Sequence, residues 1–445
     1  MRKQFFLLSL GCPKNTVDSE AMRCLLEDAG WASTDRMQRA DLLIVNTCGF
    51  IESARSESYA ALRDLAQQKR PGQQLLAVGC LSQRTGDSLR QEARGVDAVL
   101  GTRRWVKIVD VAETLLRGES LHQDCAGLAS LVAPMRRQPD SPSAYLKIAD
   151  GCSAPCAFCT IPLIKGPQQS KTQSAILGEA QQLVSQGVRE VILVAQDTTA
   201  YGRDLGLQDG LPNLIEAILD EVPQLPWLRL MYAYPQHVTP ALIDTMAAHP
   251  QVCHYLDLPL QHASPSVLRR MHRPTDMQAV RRILGRLRGA MPDIALRTTY
   301  IVGYPGETDV EFQELLDWLQ EACFDRVGIF VYSREEGTPA AQLPDQVSAE
   351  VAQERYQEAM ELQRRISEER NRAQIGRSLD VLVEGVDRGI SVGRSYRDAP
   401  EIDGYVLLTA ASHVGDIVPA RITQALDYDL LGEPSESAPT ASPCD

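Results

Sequence analysis

Cys152-Ser153-Ala154-Pro155-Cys156-Ala157-Phe158-Cys159 places three thiols in a C-x3-C-x2-C spacing directly after the strand-like run Tyr145-Leu146-Lys147-Ile148-Ala149. A structural zinc site closes with four Cys or His ligands, commonly as paired CxxC units, and no fourth Cys or His stands nearby. Three thiolates instead suit a 4Fe–4S cluster in which one iron has no protein ligand. Against this stands the plain alternative of three packed cysteines.

Composition sets the frame. A chain of 445 residues with 44% hydrophobic and 23% charged residues is long enough for two or three folded domains. Eleven cysteines are too sparse for a disulfide scaffold, and several sit in ligand-like spacings, which points to a reducing compartment. The opening apolar stretch Phe5–Leu10 is shorter than a secretory h-region and reads as a first buried strand. No window approaches the ~20 apolar residues of a membrane span. A cytoplasmic protein without a membrane partner is expected. The formal net charge of −13 disfavours polyanions and favours a basic protein partner.

Outward from the three cysteines, the chain alternates strands and helices. Residues 1–125 carry the runs Phe5–Leu10, Asp41–Asn46 and Leu75–Val78 with helical patterns between, which predicts a parallel α/β sheet. Cys12, Cys48 and Cys80 each follow one of these strands. Strand carboxyl ends share one edge of a parallel sheet, so the three can converge into a second three-thiolate site. Residues 126–144, rich in Pro, Ser and Arg, read as a linker. Residues 145–375 hold six strand–helix units, fewer than the eight of a closed barrel, and end in a polar amphipathic helix over 346–375. An open, partial (βα)6 TIM-like barrel is expected. Short strands over 376–433 predict a small antiparallel β-barrel, and 434–445 a disordered tail.

These features together resemble the radical S-adenosylmethionine (SAM) methylthiotransferases over nearly the whole chain. The resemblance implies an N-terminal methylthiotransferase domain, a radical SAM barrel and a C-terminal TRAM domain. Ser9-Leu10-Gly11-Cys12-Pro13-Lys14-Asn15-Thr16-Val17-Asp18-Ser19-Glu20 and the stretch from Gly393 to Gly404, containing Asp398-Ala399-Pro400-Glu401-Ile402-Asp403-Gly404, are similar to the branch that modifies a ribosomal protein. That branch implies insertion of a methylthio group at the β-carbon of an aspartate in small-subunit ribosomal protein twelve. It implies two 4Fe–4S clusters: Cys152, Cys156 and Cys159 for radical generation with SAM, and Cys12, Cys48 and Cys80 for sulfur transfer. A flavodoxin- or ferredoxin-type reductant and a sulfur donor are implied partners.

Thr299–Thr308 looks like the family's strand-end SAM wall, with Gly303 and Gly306 admitting the adenosine. At other strand ends Gln196, Asp197, Gln261 and His262 are candidates for positioning SAM, and Arg297 for meeting a carboxylate on SAM or substrate. Pro155 and Phe158 are expected to shield the cysteine loop. Where the family commonly has arginines, this chain has Lys165 and Lys171, which keep the charge without the bidentate fork. Two other readings stand beside this one: a transfer-RNA adenosine methylthiotransferase, and a non-catalytic iron–sulfur redox protein. Residues 376–433 contain five arginines and no lysine against ten acidic residues, the wrong balance for gripping phosphates. A nucleic-acid substrate is therefore not expected.

Overall fold

The computed structural model describes residues 2–119, 135–273 and 276–435. The first unit contains β1 (Gln4–Ser9), α1 (Pro13–Asp28), β2 (Ala32–Ser33), β3 (Leu42–Thr47), α2 (Glu52–Gln68), β4 (Gln74–Gly79), α3 (Cys80–Thr85), α4 (Ser88–Glu92), β5 (Ala98–Gly101) and α5 (Ile108–Leu116). Its sheet has the order β2-β1-β3-β4-β5 and every pair is parallel. The central strand β3 is buried at all six residues, as expected of a strand covered on both faces. Register places Ser9 beside Asn46, and Thr47 beside Gly79. The three strand ends thus lie level on one edge. Strands β2 and β5 escape a reading by alternation because they are two and four residues long.

The second unit runs β6 (Ser143–Lys147), β7 (Ala149–Asp150), α6 (Ile161–Lys165), β8 (Gln169–Ser170), α7 (Gln173–Ser185), β9 (Glu190–Val194), α8 (Gly210–Glu221), β10 (Trp227–Leu230), α9 (Pro240–Ala248), β11 (Val252–Asp257), α10 (Pro265–Arg270), α11 (Met277–Ala290), β12 (Ala295–Val302), α12 (Asp309–Ala322), β13 (Arg326–Val331) and α13 (Ala349–Arg372). Six strands form one sheet in the order β13-β12-β11-β10-β9-β6, an open parallel array in which sequence neighbours pair. Side-chain caps set several helix starts; Thr308 and Glu311 form a reciprocal capping box at α12.

The third unit closes β14 (Ser378–Asp387), β15 (Ile390–Ser395), β16 (Val406–Leu408), β17 (Ile417–Ala425) and β18 (Leu430–Pro434) into a barrel of order β14-β15-β16-β18-β17. The all-antiparallel expectation fails at one pair: β16 and β18 are parallel. A ring with an odd number of strands cannot alternate direction throughout, and β18 supplies the fifth. Pro434 therefore belongs to the barrel rather than to a tail; 436–445 lie outside the described residues, as do Cys125 and His122. The linker is also revised. Residues 126–134 lie outside the described residues, while Arg137 is buried against Glu20 at 3.0 Å and Ser143 already belongs to β6.

Buried ion pairs hold the units together. Asp18 on α1 meets Lys147 on β6; Lys147 also lies 3.3 Å from Asp150, and Lys165 lies 3.0 Å from Asp150 and 3.7 Å from Asp18. From the loop after β13, Glu335 accepts from Arg84 at 2.7 Å and from the Glu52 N–H at 2.8 Å. The segment Gly393–Gly404 is driven into the barrel floor. Arg394 binds Glu190 and Glu384 at 2.6 Å, Arg326 binds Asp398 at 2.6 Å, and Arg397 binds Asp325 at 2.7 Å.

Burial works to raise the Glu190 carboxyl, but Arg229 and Arg394 outweigh it and hold it at about 2, against an ordinary value of 4.5. A depressed carboxyl stabilises the fold above its unfolded value and loses that contribution as pH falls. Denaturant unfolding should therefore show full stability above about pH 4.5 and a decline from there toward about 2. Glu190→Gln should remove that acid dependence and cost ~3–5 kcal/mol at neutral pH by leaving buried guanidinium groups uncompensated.

Candidate active site

Each of Cys12, Cys48 and Cys80 begins the segment after a strand: Cys12 caps α1, Cys48 follows β3, and Cys80 opens α3. The approach is close. A Cβ on Gly11, whose φ is +89°, would stand 2.7 Å from the Cys48 Cβ and 2.9 Å from its Sγ. Asn15 ties the three loops together. Its Nδ2 donates to the carbonyls of Leu10 at 2.9 Å and Thr47 at 3.1 Å, and the Cys80 thiol stands 3.8 Å from its Oδ1. Cys80 is within electrostatic reach of both other thiols, and burial pushes it up to about 12. Burial also raises Cys48. Thiols in such surroundings ionise against a cation, and loading a metal there releases protons.

The second trio lies on the loop between β7 and α6. Cys152 and Cys159 both sense Cys156, and burial pushes Cys159 up to about 12. Donors are aimed at the sulfurs: the Ala154 N–H to Cys152 at 3.4 Å, the Ile161 N–H to Cys159 at 3.5 Å, and Arg273 Nη1 to Cys156 at 3.6 Å. The Arg273 guanidinium also lies 4.0 Å from the centroid of the Tyr234 ring. Around the loop, Ala157, Val267, Met271, Tyr304 and Ala340 form a small apolar cluster with Phe158 packed on it. Phe158 is half-buried on this cluster, whereas Pro155 is exposed. Among the described residues, no three His, Cys, Asp or Glu side chains close on a single ion. Each trio supplies three soft donors and no fourth, a set that fits a cluster with one open iron better than zinc.

The two trios are joined by polar side chains. Cys80 is within electrostatic reach of Lys165; Lys165 holds Asp150, and Asp150 accepts from Gln196 Nε2 at 3.2 Å. The Gln196 Oε1 is buried without a hydrogen-bond partner among the described residues, an acceptor open to a donor. Gln261 has a φ of +73° and donates to Thr299 Oγ1 at 3.4 Å. Strain of this kind in a non-glycine residue is characteristic of functional sites.

Other expected contacts are committed elsewhere. Asp197 accepts from Ala200 N–H at 3.1 Å and lies 2.9 Å from His237, so it builds a turn. His262 is fully buried, accepting at Nδ1 from the Ser264 N–H and lying 3.0 Å from Glu307 through Nε2. Arg297 binds Asp257 at 2.8 Å and Asp403 at 3.4 Å. A Cβ on Gly303 would stand 2.5 Å from the Ala352 Cβ, so its bare backbone admits α13 rather than an adenosine. Gly306 needs its φ of +72°, and the nearest atom to its missing Cβ belongs to Arg270 at 3.7 Å. Lys165 and Lys171 act as buried point charges, the latter on Glu179 at 2.6 Å, so neither needs a guanidinium fork.

Three family models match the chain: Uncharacterized protein family UPF0004 over residues 4–101, the Radical SAM superfamily over 146–319, and the TRAM domain over 375–434. The ribosomal protein uS12 methylthiotransferase RimO of Roseiflexus sp. (strain RS-1) is 50% identical, with 98% of each chain covered. The chain belongs to the uS12 methylthiotransferase family of radical SAM enzymes. Another member, RimO of Chloroflexus aurantiacus, is 49% identical over 97% of this chain and 99% of its own. Among solved structures, the radical SAM methyltransferase TsrM from Kitasatospora setae has a TM-score of 0.58 at 14% identity, covering 88% of this chain and 81% of that one. That likeness concerns the fold alone.

Arg273, Asn15 and Glu335 are the side chains that sequence reasoning did not single out. Removing a donor and a positive charge from beside a cluster sulfur disfavours the reduced state. Arg273→Leu should therefore lower the reduction potential of a cluster held by the Cys152 loop, on the order of tens of millivolts, in a redox titration followed by electron paramagnetic resonance. An unchanged potential would detach Arg273 from the site.

Proposed function

We propose that this chain attaches a methylthio group to the β-carbon of an aspartate in ribosomal protein uS12, with a 4Fe–4S cluster on each cysteine trio. The observation that supports the proposal is that the helix after Cys12 and the strand before Cys152 are tied together by the Asp18–Lys147–Asp150–Lys165 ion pairs, with Cys80 in electrostatic reach of Lys165. The bound cofactors supply a radical able to take hydrogen from an unactivated carbon, and the sulfur to be installed there. The rest falls to the protein. Cys152, Cys156 and Cys159 would hold the cluster that works with SAM, and Cys12, Cys48 and Cys80 the one concerned with sulfur.

Phe158 and the apolar cluster beneath it limit water at the Cys152 trio, which protects reactive species from side reactions. The Gln196 Oε1, without a partner among the described residues, would accept from an ammonium such as that of SAM. Asp197, His262 and Arg297 act at one remove, fixing the strand ends on which Gln196, Gln261 and Tyr232 stand. A reductant and a sulfur donor must act from outside, and a cytoplasmic setting suits exposed iron–sulfur chemistry. The third unit presents an acidic surface: Arg394 and Arg397 are buried in ion pairs, leaving Arg377, Arg388 and Arg421 among many carboxylates. Such a face steers a basic ribosomal protein and repels an RNA backbone.

Mass spectrometry of ribosomal proteins should find one added methylthio group on uS12 only in cells carrying the gene. Reconstituted Cys80→Ala protein should still form 5′-deoxyadenosine from SAM when reduced yet transfer no sulfur. Transfer at the wild-type rate would remove the N-terminal trio from the reaction.

A further inference from the structure

Four lysines are buried among the described residues, and three are paired with carboxylates: Lys147, Lys165 and Lys171. The fourth is Lys14. It lies two residues past Cys12, at 8% exposure, with its Nζ 3.4 Å from the centroid of the Tyr232 ring. No carboxylate ion pair or hydrogen bond forms at its ammonium among the described residues. Asp257 is within electrostatic reach, but its oxygens already serve Arg297 Nη1 at 2.8 Å and the Tyr232 N–H at 3.2 Å. Lys165 and Cys12 are the other charged or titratable neighbours.

The ring beneath this ammonium is itself held under strain. Tyr232, two residues past the end of β10, has a φ of +62°, unusual for an aromatic residue. Its N–H is fixed by Asp257, and its carbonyl accepts from the Thr198 N–H at 3.0 Å. A buried ammonium on an aromatic face, with no hydrogen-bond acceptor among the described residues, retains its capacity for a charge-assisted hydrogen bond. It stands between Cys12 of the N-terminal trio and the residues that follow barrel strand β10.

We propose that Lys14, on its Tyr232 platform, binds the side-chain carboxylate of the substrate aspartate and selects aspartate over asparagine. The proposal rests on the uS12 reading above. In an aspartate the reacting β-carbon is bonded directly to the carboxylate, so whatever grips the carboxylate also sets where that carbon lies. Two residues from Cys12, Lys14 would hold it beside the N-terminal trio. The carboxylate of SAM is the competing anion of the same chemistry, and the test separates the two.

Full-length, cluster-loaded protein without reductant would be titrated with a uS12 peptide carrying the target aspartate, and with its asparagine analogue. Wild-type protein should bind the aspartate peptide roughly tenfold or more tightly. Lys14→Gln should bring the ratio close to one, while Lys14→Arg keeps most of the preference. With iron content matched to wild type, Lys14→Gln should raise the peptide KM more than it lowers kcat. An undiminished preference in Lys14→Gln, or weakened SAM binding with peptide binding intact, would overturn the assignment. Wild-type protein that neither binds nor modifies the aspartate peptide would overturn the uS12 reading itself, and this proposal with it.

Discussion

Two carboxylates and two ammonium groups, shut away from water at the junction of α1, β6, β7 and α6, decide how this molecule is put together. Asp18 and Asp150 face Lys147 and Lys165 in a set that is neutral overall, and each member compensates a charge that would otherwise be buried alone. Such a cluster is demanding about geometry, because a small displacement leaves an unpaired charge in a low-dielectric setting. Its consequence is positional. Asp18 lies one and a half turns along the helix that Cys12 caps, and Asp150 lies two residues before Cys152. Docking the acids on the lysines links the helix that Cys12 caps to the strand and loop that lead to Cys152.

The third unit is anchored by related physics. Arg394, Arg397, Asp398 and Asp403 all lie in the stretch whose pattern resembled the ribosomal-protein branch, and all are engaged with barrel residues. The stretch is a plug for an open barrel. Six strands cannot close on themselves as eight do, and the exposed floor is filled by Leu382 and Ala399 packing against Tyr145, Ile192 and Met231.

Much of this was legible in the sequence. The six cysteines drew attention because their signals are local: a fixed spacing in one case, and positions after strands in the other. The barrel strands were legible as continuous apolar runs. What stayed hidden depended on distant partners. Arg273 reaches Cys156 from 117 positions away, and nothing local marks it. Glu335 reads as one acid in a loop until Arg84 and the Glu52 N–H converge on it. Asp197, His262 and Arg297 were conspicuous as polar residues at strand ends, yet the fold engages each with a neighbour. Lys14 shows the reverse. It is an ordinary basic residue in the sequence and becomes unusual only when its neighbours are seen to be taken.

The central claim is that two clusters share one reaction space. The most direct test is electron paramagnetic resonance on the fully reduced, anaerobically reconstituted protein. The account predicts two cluster signals broadened by mutual spin coupling, which sharpen into one simple signal when Cys80→Ala empties the N-terminal trio. Two unbroadened, independent signals, or a spectrum that Cys80→Ala leaves unchanged, would contradict it.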